Sequence, residues 1–186
     1  MKTSIMFCLV GILCYGCSHS SVGPNPNPVS NTAKYKLADA NSLAESYNKG
    51  LRLMLVVSNT VSSNGSSDNW QFQYSDTAMP PTSYWFHCKN GVVGFDSTCP
   101  TGVGTGFIDH KSWFNSDSAF DIAAENGGSQ FIAQNPHYTI VASVGIPVAP
   151  NPTTQWYIAY QATDNPNILR MRIDASTGQV FPMNTK

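Results

Sequence analysis

Two short aromatic stretches, alike in pattern and set a nearly constant interval apart, limit what this chain can fold into. Trp156 to Tyr160 reads WYIAY, the turn-rich QATDNPN follows, and ILRMRIDASTGQV comes next, with Ser176-Thr177-Gly178 before a last apolar pair. Earlier, Trp70 to Tyr74 reads WQFQY, a polar loop with Pro80-Pro81 follows, and SYWFHCKNGVV carries the turn Asn90-Gly91. Trp156 lies 86 positions after Trp70 (156 − 70) and Gly178 lies 87 after Gly91 (178 − 91). Side chains that alternate with a period of two belong to strands with one buried face, so each stretch predicts an antiparallel pair. The preserved interval predicts one unit copied once.

Each copy begins with a helix. Leu37, Ala40, Leu43, Ala44 and Tyr47 recur at three- and four-residue spacing, with Asp39 or Asn41 near the start and Lys49-Gly50 as the stop. Leu51 to Val57 is an apolar strand, Ser58 to Asn69 a loop of Ser, Asn and Gly, and WQFQY the second strand. Tyr84 to Cys88 is the third, Asn90-Gly91 a tight hairpin turn, and Val92 to Phe95 a short fourth. In the second copy Asp117 or Ser118 caps a helix with Ala119, Phe120, Ala123 and Ala124 on its apolar stripe, ended by Asn126-Gly127-Gly128, with Phe131-Ile132 extending it after the break. Tyr138 to Val144, Trp156 to Tyr160, Ile168 to Ile173 and Gln179 to Phe181 supply its strands, and the Pro-rich loop Gly145 to Gln155 stands where the Ser-rich one stood.

The chain is therefore divided into residues 1–17, 18–34, 35–96, 97–115 and 116–186: a signal, a disordered tether, a first unit, a linker and a second unit. Lys2, the apolar run Ile5 to Leu13 and then Gly16-Cys17 make an export signal too short to span a bilayer. Gly16-Cys17 resembles a bacterial lipobox, in which the cysteine thiol becomes lipidated, with Cys14 where that pattern prefers Leu; cleavage as an ordinary secretory signal is the alternative. Small polar residues and three prolines after Cys17 cannot bury enough surface to fold, as suits a tether.

Only 11 % of the 186 residues are charged and the net charge is −1, so the chain offers no field for nucleic acid or an anionic membrane surface. A surface of Ser, Thr, Asn and Gln suits an exported protein. Cys8 and Cys14 leave with the signal and Cys17 carries lipid, so Cys88 and Cys99 remain as a possible disulfide. A two-residue turn at Asn90-Gly91 sets Cys88 opposite Val93, so the bridge needs the chain to fold back after Asp96.

The order helix, then meander, with Trp-x-x-x-Tyr in a middle strand and Ile173-Asp174-Ala175-Ser176-Thr177-Gly178-Gln179-Val180 at the end, resembles the PepSY or PepSY-like domain. The second unit matches it well; the first matches in element order and departs at its turn, Cys88-Lys89-Asn90-Gly91. The resemblance implies an α+β fold of two tandem units, each a helix packed on an antiparallel meander in PepSY-like or cystatin-like layers. It also implies an extracytoplasmic, non-catalytic role, in protein binding or as an inhibitor or chaperone-like partner of a secreted peptidase.

The candidate sites are read accordingly. Asp174 is expected to accept backbone N–H groups of its turn, with Thr177 beside it and Gly178 at positive φ. Trp70, Trp85 and Trp156 belong to inter-layer packing, while Trp113 is a candidate for an exposed contact surface. His19, His87, His110 and His137 lack metal-ligand spacing, and Asp109-His110 lacks a nucleophile signature. Thr101 to Gly106 lacks the Lys and hydroxyl residue of a phosphate loop. No catalytic residue, metal or cofactor is expected; the partner is an envelope protein or peptidase, and membrane contact is through the lipid alone. The loops Ser58–Asn69 and Gly145–Gln155 are expected contact edges.

Overall fold

Alternating apolar residues in both halves meet in a single sheet. The computed structural model describes residues 31–100, 106–147, 153–181 and 183. Helix α1 (Ala33–Tyr47) precedes strands β1 (Arg52–Ser58), β2 (Gln71–Ser75), β3 (Thr82–Lys89) and β4 (Val92–Pro100). Helices α2 (Ser116–Ala123) and α3 (Ser129–Gln134), joined by a wide turn, precede β5 (Tyr138–Gly145), β6 (Gln155–Ala162), β7 (Ile168–Asp174) and β8 (Val180–Phe181). The strand order is β4-β3-β2-β1-β5-β6-β7-β8, antiparallel throughout, so the fold is α+β with an open sheet. The halves join where Val56 faces Val144 and Val57 faces Ser143.

One face of this sheet is the core. Val56, Phe72, Tyr74, Phe86 and Cys88 from the first half, and Ile140, Val144, Trp156, Ile158, Tyr160, Met171 and Ile173 from the second, alternate onto it and are buried. Helix α1 covers the first set with Ala33, Leu37, Ala40 and Ala44, a stripe at three- to four-residue spacing whose small side chains let the helix sit close. Helices α2 and α3 cover the second through Phe120 and Phe131, whose rings lie 6.4 Å and 5.9 Å from Tyr160. The opposite face carries the half-buried Val57, Gln71, Gln73, Trp85, His87, Val141, Ser143, Tyr157 and Ala159.

Several boundaries differ from expectation. Helix α1 starts at Ala33, inside the segment read as tether, because long-range bonds hold its start: Asn31 O accepts Trp70 Nε1 at 2.9 Å and Ser67 N at 2.9 Å. Asp39 and Asn41 are interior to the helix, and Asn41 Oδ1 accepts the Tyr74 hydroxyl instead of capping. The helix ends with Asn48 in an extended conformation, its Oδ1 accepting Gly50 N, and not with a left-handed glycine. Helix α2 starts at Ser116 with Asn115 as its cap, ahead of Asp117 and Ser118. Between α2 and α3, Gly127 at φ 109° breaks the regular run, as the Asn-Gly-Gly sequence predicts.

Strand β4 is more than twice its expected length and takes Ser97–Pro100 out of the linker. At Asn90-Gly91 both residues have positive φ (53° and 79°), the signature of a type I′ turn, so Cys88 faces Val93 as expected. The chain does not then fold back. It runs on with Asp96 as an extra residue between the pairs Trp85–Ser97 and Phe86–Phe95, and Cys99 comes to lie opposite Ser83. Five strand positions, about 16 Å at ~3.3 Å each, separate the two cysteines, well beyond disulfide reach. Both thiols are free, Cys88 buried and Cys99 exposed.

Candidate functional site

The turn after β7 is built as its sequence predicts. Asp174 Oδ1 accepts Ser176 N at 3.0 Å, Ser176 Oγ at 2.7 Å and Thr177 N at 2.9 Å, while Gly178 N donates to Asp174 O at 2.9 Å. Gly178 has φ 76°, and a Cβ there would stand 3.1 Å from Ile122 of α2. Burial raises the Asp174 carboxyl, but hydrogen bonds from the side chains and backbone of Ser176 and Thr177 outweigh it and hold the group at about 2. Every acceptor direction in use points at the turn itself, so Asp174, Thr177 and Gly178 form a structural lock.

A second cluster lies where the starts of α1 and α2 meet under the core. Trp70 Nε1 donates to Asn31 O, and Trp156 Nε1 donates to Phe114 O at 3.1 Å; each acceptor stands two residues before its helix. The two indoles meet edge-on at 6.4 Å. Asn115 Oδ1 accepts both Ser116 N and Lys34 N, and Ser116 Oγ accepts Ala33 N, so each helix start is bonded to the other. Trp113, expected to be an exposed contact, is only 2 % exposed, because Trp156 lies 5.6 Å away and Lys34 Nζ 5.0 Å over its ring. Desolvation lowers the Lys34 ammonium from its ordinary value, with Asp109 pulling the other way. These are packing residues, as the strand alternation of Trp70 and Trp156 implies.

The loop between β1 and β2, expected to be a free contact edge, is tied down. Ser58 Oγ and Ser67 Oγ lie 2.8 Å apart, Ser62 Oγ bonds Asn64 Oδ1 and Ser66 O, and Val61 N donates to Ile140 O. Gly65, at φ 78°, lies so close to α2 that a Cβ would fall 2.5 Å from Ser116 O. Residues 148–152 of the loop Gly145–Gln155 lie outside the described residues, as do Cys17, His19 and Thr101 to Thr105.

The remaining polar groups do not converge. His110 and His137 are exposed, and Asp109 Oδ1 is used by Lys111 N in its own turn. Among the described residues no group of three or more His, Cys, Asp or Glu side chains could hold a metal ion, and no helix is long and apolar enough to cross a membrane. Burial raises Tyr160 to about 12, with Tyr138 adding to it, and raises the Cys88 thiol against the opposing effect of Lys36. Both shifts belong to core groups, not to acids or bases poised at a cleft.

What the sequence did not disclose is the edge. Along β4 every residue from Gly94 to Pro100 is exposed, Phe95 is 40 % and Val92 71 % exposed, and Phe95 stacks on Tyr47 of α1 at 4.7 Å. Lys36 Nζ donates to Gly91 O at 3.0 Å and pins the hairpin to the same helix. On the opposite face His87 Nε2 is without a hydrogen-bond partner, across from Gly94. No family model, curated protein or solved structure matches this chain.

Proposed function

We propose that this chain is an exported, lipid-anchored, non-catalytic protein-binding module of the cell envelope, built from two PepSY-like copies of one helix-plus-meander unit. The anchor is Cys17 in Gly16-Cys17, and the residues after it form the tether. Duplication is supported by the register. Val57 faces Ser143, which lies 86 positions on (143 − 57), the same interval as Trp70 to Trp156, so each strand meets its own counterpart at the centre of a palindromic strand order. The indole-to-carbonyl bonds repeat in both halves with the same relation to the helix start.

The observation that carries the binding role is the distribution of polar groups. The hydrogen-bonding clusters at Asp174 and at Asn115 are spent on the fold, while the extended surfaces left available among the described residues are a sheet face and a strand edge. Sheet surfaces of this kind suit recognition of another protein. The test uses the full chain in its native host. Cys17 should carry lipid by mass spectrometry and Cys17→Ser should move the protein out of the membrane fraction, and cross-linking in the envelope should recover a specific protein partner. An unmodified Cys17 contradicts the anchor; recovery of no partner above background contradicts the binding module. Inhibition of a co-purified secreted peptidase would make the partner an enzyme target.

A further inference from the structure

We infer that the outer edge of β4 is a strand-addition site for an extended segment of another protein, one that sets a Lys or Arg against Asp96 and an apolar side chain against the Tyr47–Phe95 stack. This deepens the binding-module reading and rests on it. Strand β4 ends the sheet: it pairs with β3 on one side, and its other side presents a row of backbone N–H and C=O groups. At nine residues the edge is about 30 Å long at ~3.3 Å per residue; at the other end of the sheet the two-residue β8 covers Arg172 and Ile173 of β7 and leaves the shorter stretch Ile168–Met171 as edge. Exposed edges are ordinarily protected by shortness, charge, proline or a bulge. Strand β4 has no lysine and its proline is at the last position, Pro100, so its protection is confined to the bulge and single charge at Asp96.

Three features beside this row say what kind of chain fits. Tyr47 and Phe95, 50 % and 40 % exposed and inclined at 24°, form an aromatic step on the helix side, with Phe86 in edge contact with both. On the other face Gly94 leaves room, since a Cβ there would meet nothing within 4 Å among the described residues. Asp96, the extra residue of the bulge, is the one charge on the strand and exposed, which favours a cation on the incoming chain.

A second copy of this chain fits poorly. Full antiparallel overlap of two β4 strands sets Asp96 against Asp96 and Pro100 against Val92, placing like charges face to face and a residue without an N–H in the ladder. Sliding the register to avoid this shortens the contact. The occupant is therefore a different, basic and apolar extended segment.

The full chain, kept reduced, is panned against a displayed library of random nonapeptides, and the selected peptides are titrated by fluorescence anisotropy. Selected sequences should place Lys or Arg and an apolar residue at fixed, alternating positions. Asp96→Lys and, separately, Thr98→Lys should weaken binding tenfold or more at unchanged melting temperature; Tyr47→Ala should weaken it several-fold and also lower the melting temperature, since it loses ring contacts with Phe86 and Phe95. Using two lysine variants guards against one of them unfolding the edge. Failure to select any peptide, or selected peptides that bind all variants equally, overturns the edge site. A wild-type dimer split by Asp96→Lys assigns the edge to a second copy and overturns the heterologous partner. In each of these cases the envelope cross-linking result decides the broader binding role independently.

Discussion

Replacing Trp70 or Trp156 with phenylalanine removes an indole N–H while keeping a ring, and the structure lets the cost be worked out. Trp70→Phe deletes the bond to Asn31 O, which retains Ser67 N as a donor, and weakens the edge-on contact with Trp156. A hydrogen bond is worth about 1 kcal/mol net and an aromatic pair about 0.5–1.5 kcal/mol, so the expected loss is about 2 kcal/mol. Trp156→Phe deletes the bond to Phe114 O and disturbs contacts with both Trp70 and Trp113, for about 3 kcal/mol. For a chain of this length those losses lower the melting temperature by roughly 4–8 °C and 6–12 °C. Because each single variant counts the shared ring contact, the double variant should cost less than the sum by about 0.5–1 kcal/mol. Urea titrations of the four proteins, followed by circular dichroism, measure this cycle. Single losses below about 0.5 kcal/mol, or strict additivity, would refute the reasoning that the two indoles form one centre.

The other predictions concern local devices. Asp174 has a folded pKa depressed to about 2 against about 3.9 unfolded, so it stabilises the fold above the unfolded value and that contribution disappears as pH falls toward 2. Stability should drop between about pH 5 and pH 2 by about 1–2 kcal/mol after discounting for solvent screening, and Asp174→Asn should remove most of that slope in acid titrations. Gly65→Ala places a Cβ against the Ser116 backbone at positive φ, and chemical denaturation should show a loss of about 3 kcal/mol. In native protein a maleimide should label Cys99 rapidly and Cys88 only after unfolding, as peptide mass mapping would show; equal labelling rates would contradict the burial of Cys88.

Much of the strand framework was legible because alternation within a strand is a local signal. WQFQY and WYIAY bury alternate residues on one face, Asn90-Gly91 makes its hairpin, and Asp174 to Gly178 closes its turn. What was not legible depended on partners distant in the chain. Asn31 and Thr32 look like tether until Trp70 is brought to them, and Trp113 looks exposed until Trp156 and Lys34 cover it. The second part of β4, Ser97–Pro100, has the small polar composition of a loop, because an edge strand buries little and needs only the β3 ladder. The Ser-rich loop after β1 read as free surface for the same reason, although its hydroxyls bond one another and Gly65 sits against α2. Nor could the sequence say that β1 pairs with β5, since both are apolar runs that would suit either one sheet or two.

That pairing joins the two halves of the chain into one sheet, and it can be observed directly. In isotope-labelled protein the account predicts interstrand nuclear Overhauser effects linking the backbone protons of Val56 and Val57 with those of Ser143 and Val144, and slow amide exchange across both strands. Absence of those contacts, with β1 and β5 amides exchanging as open edges, would contradict it.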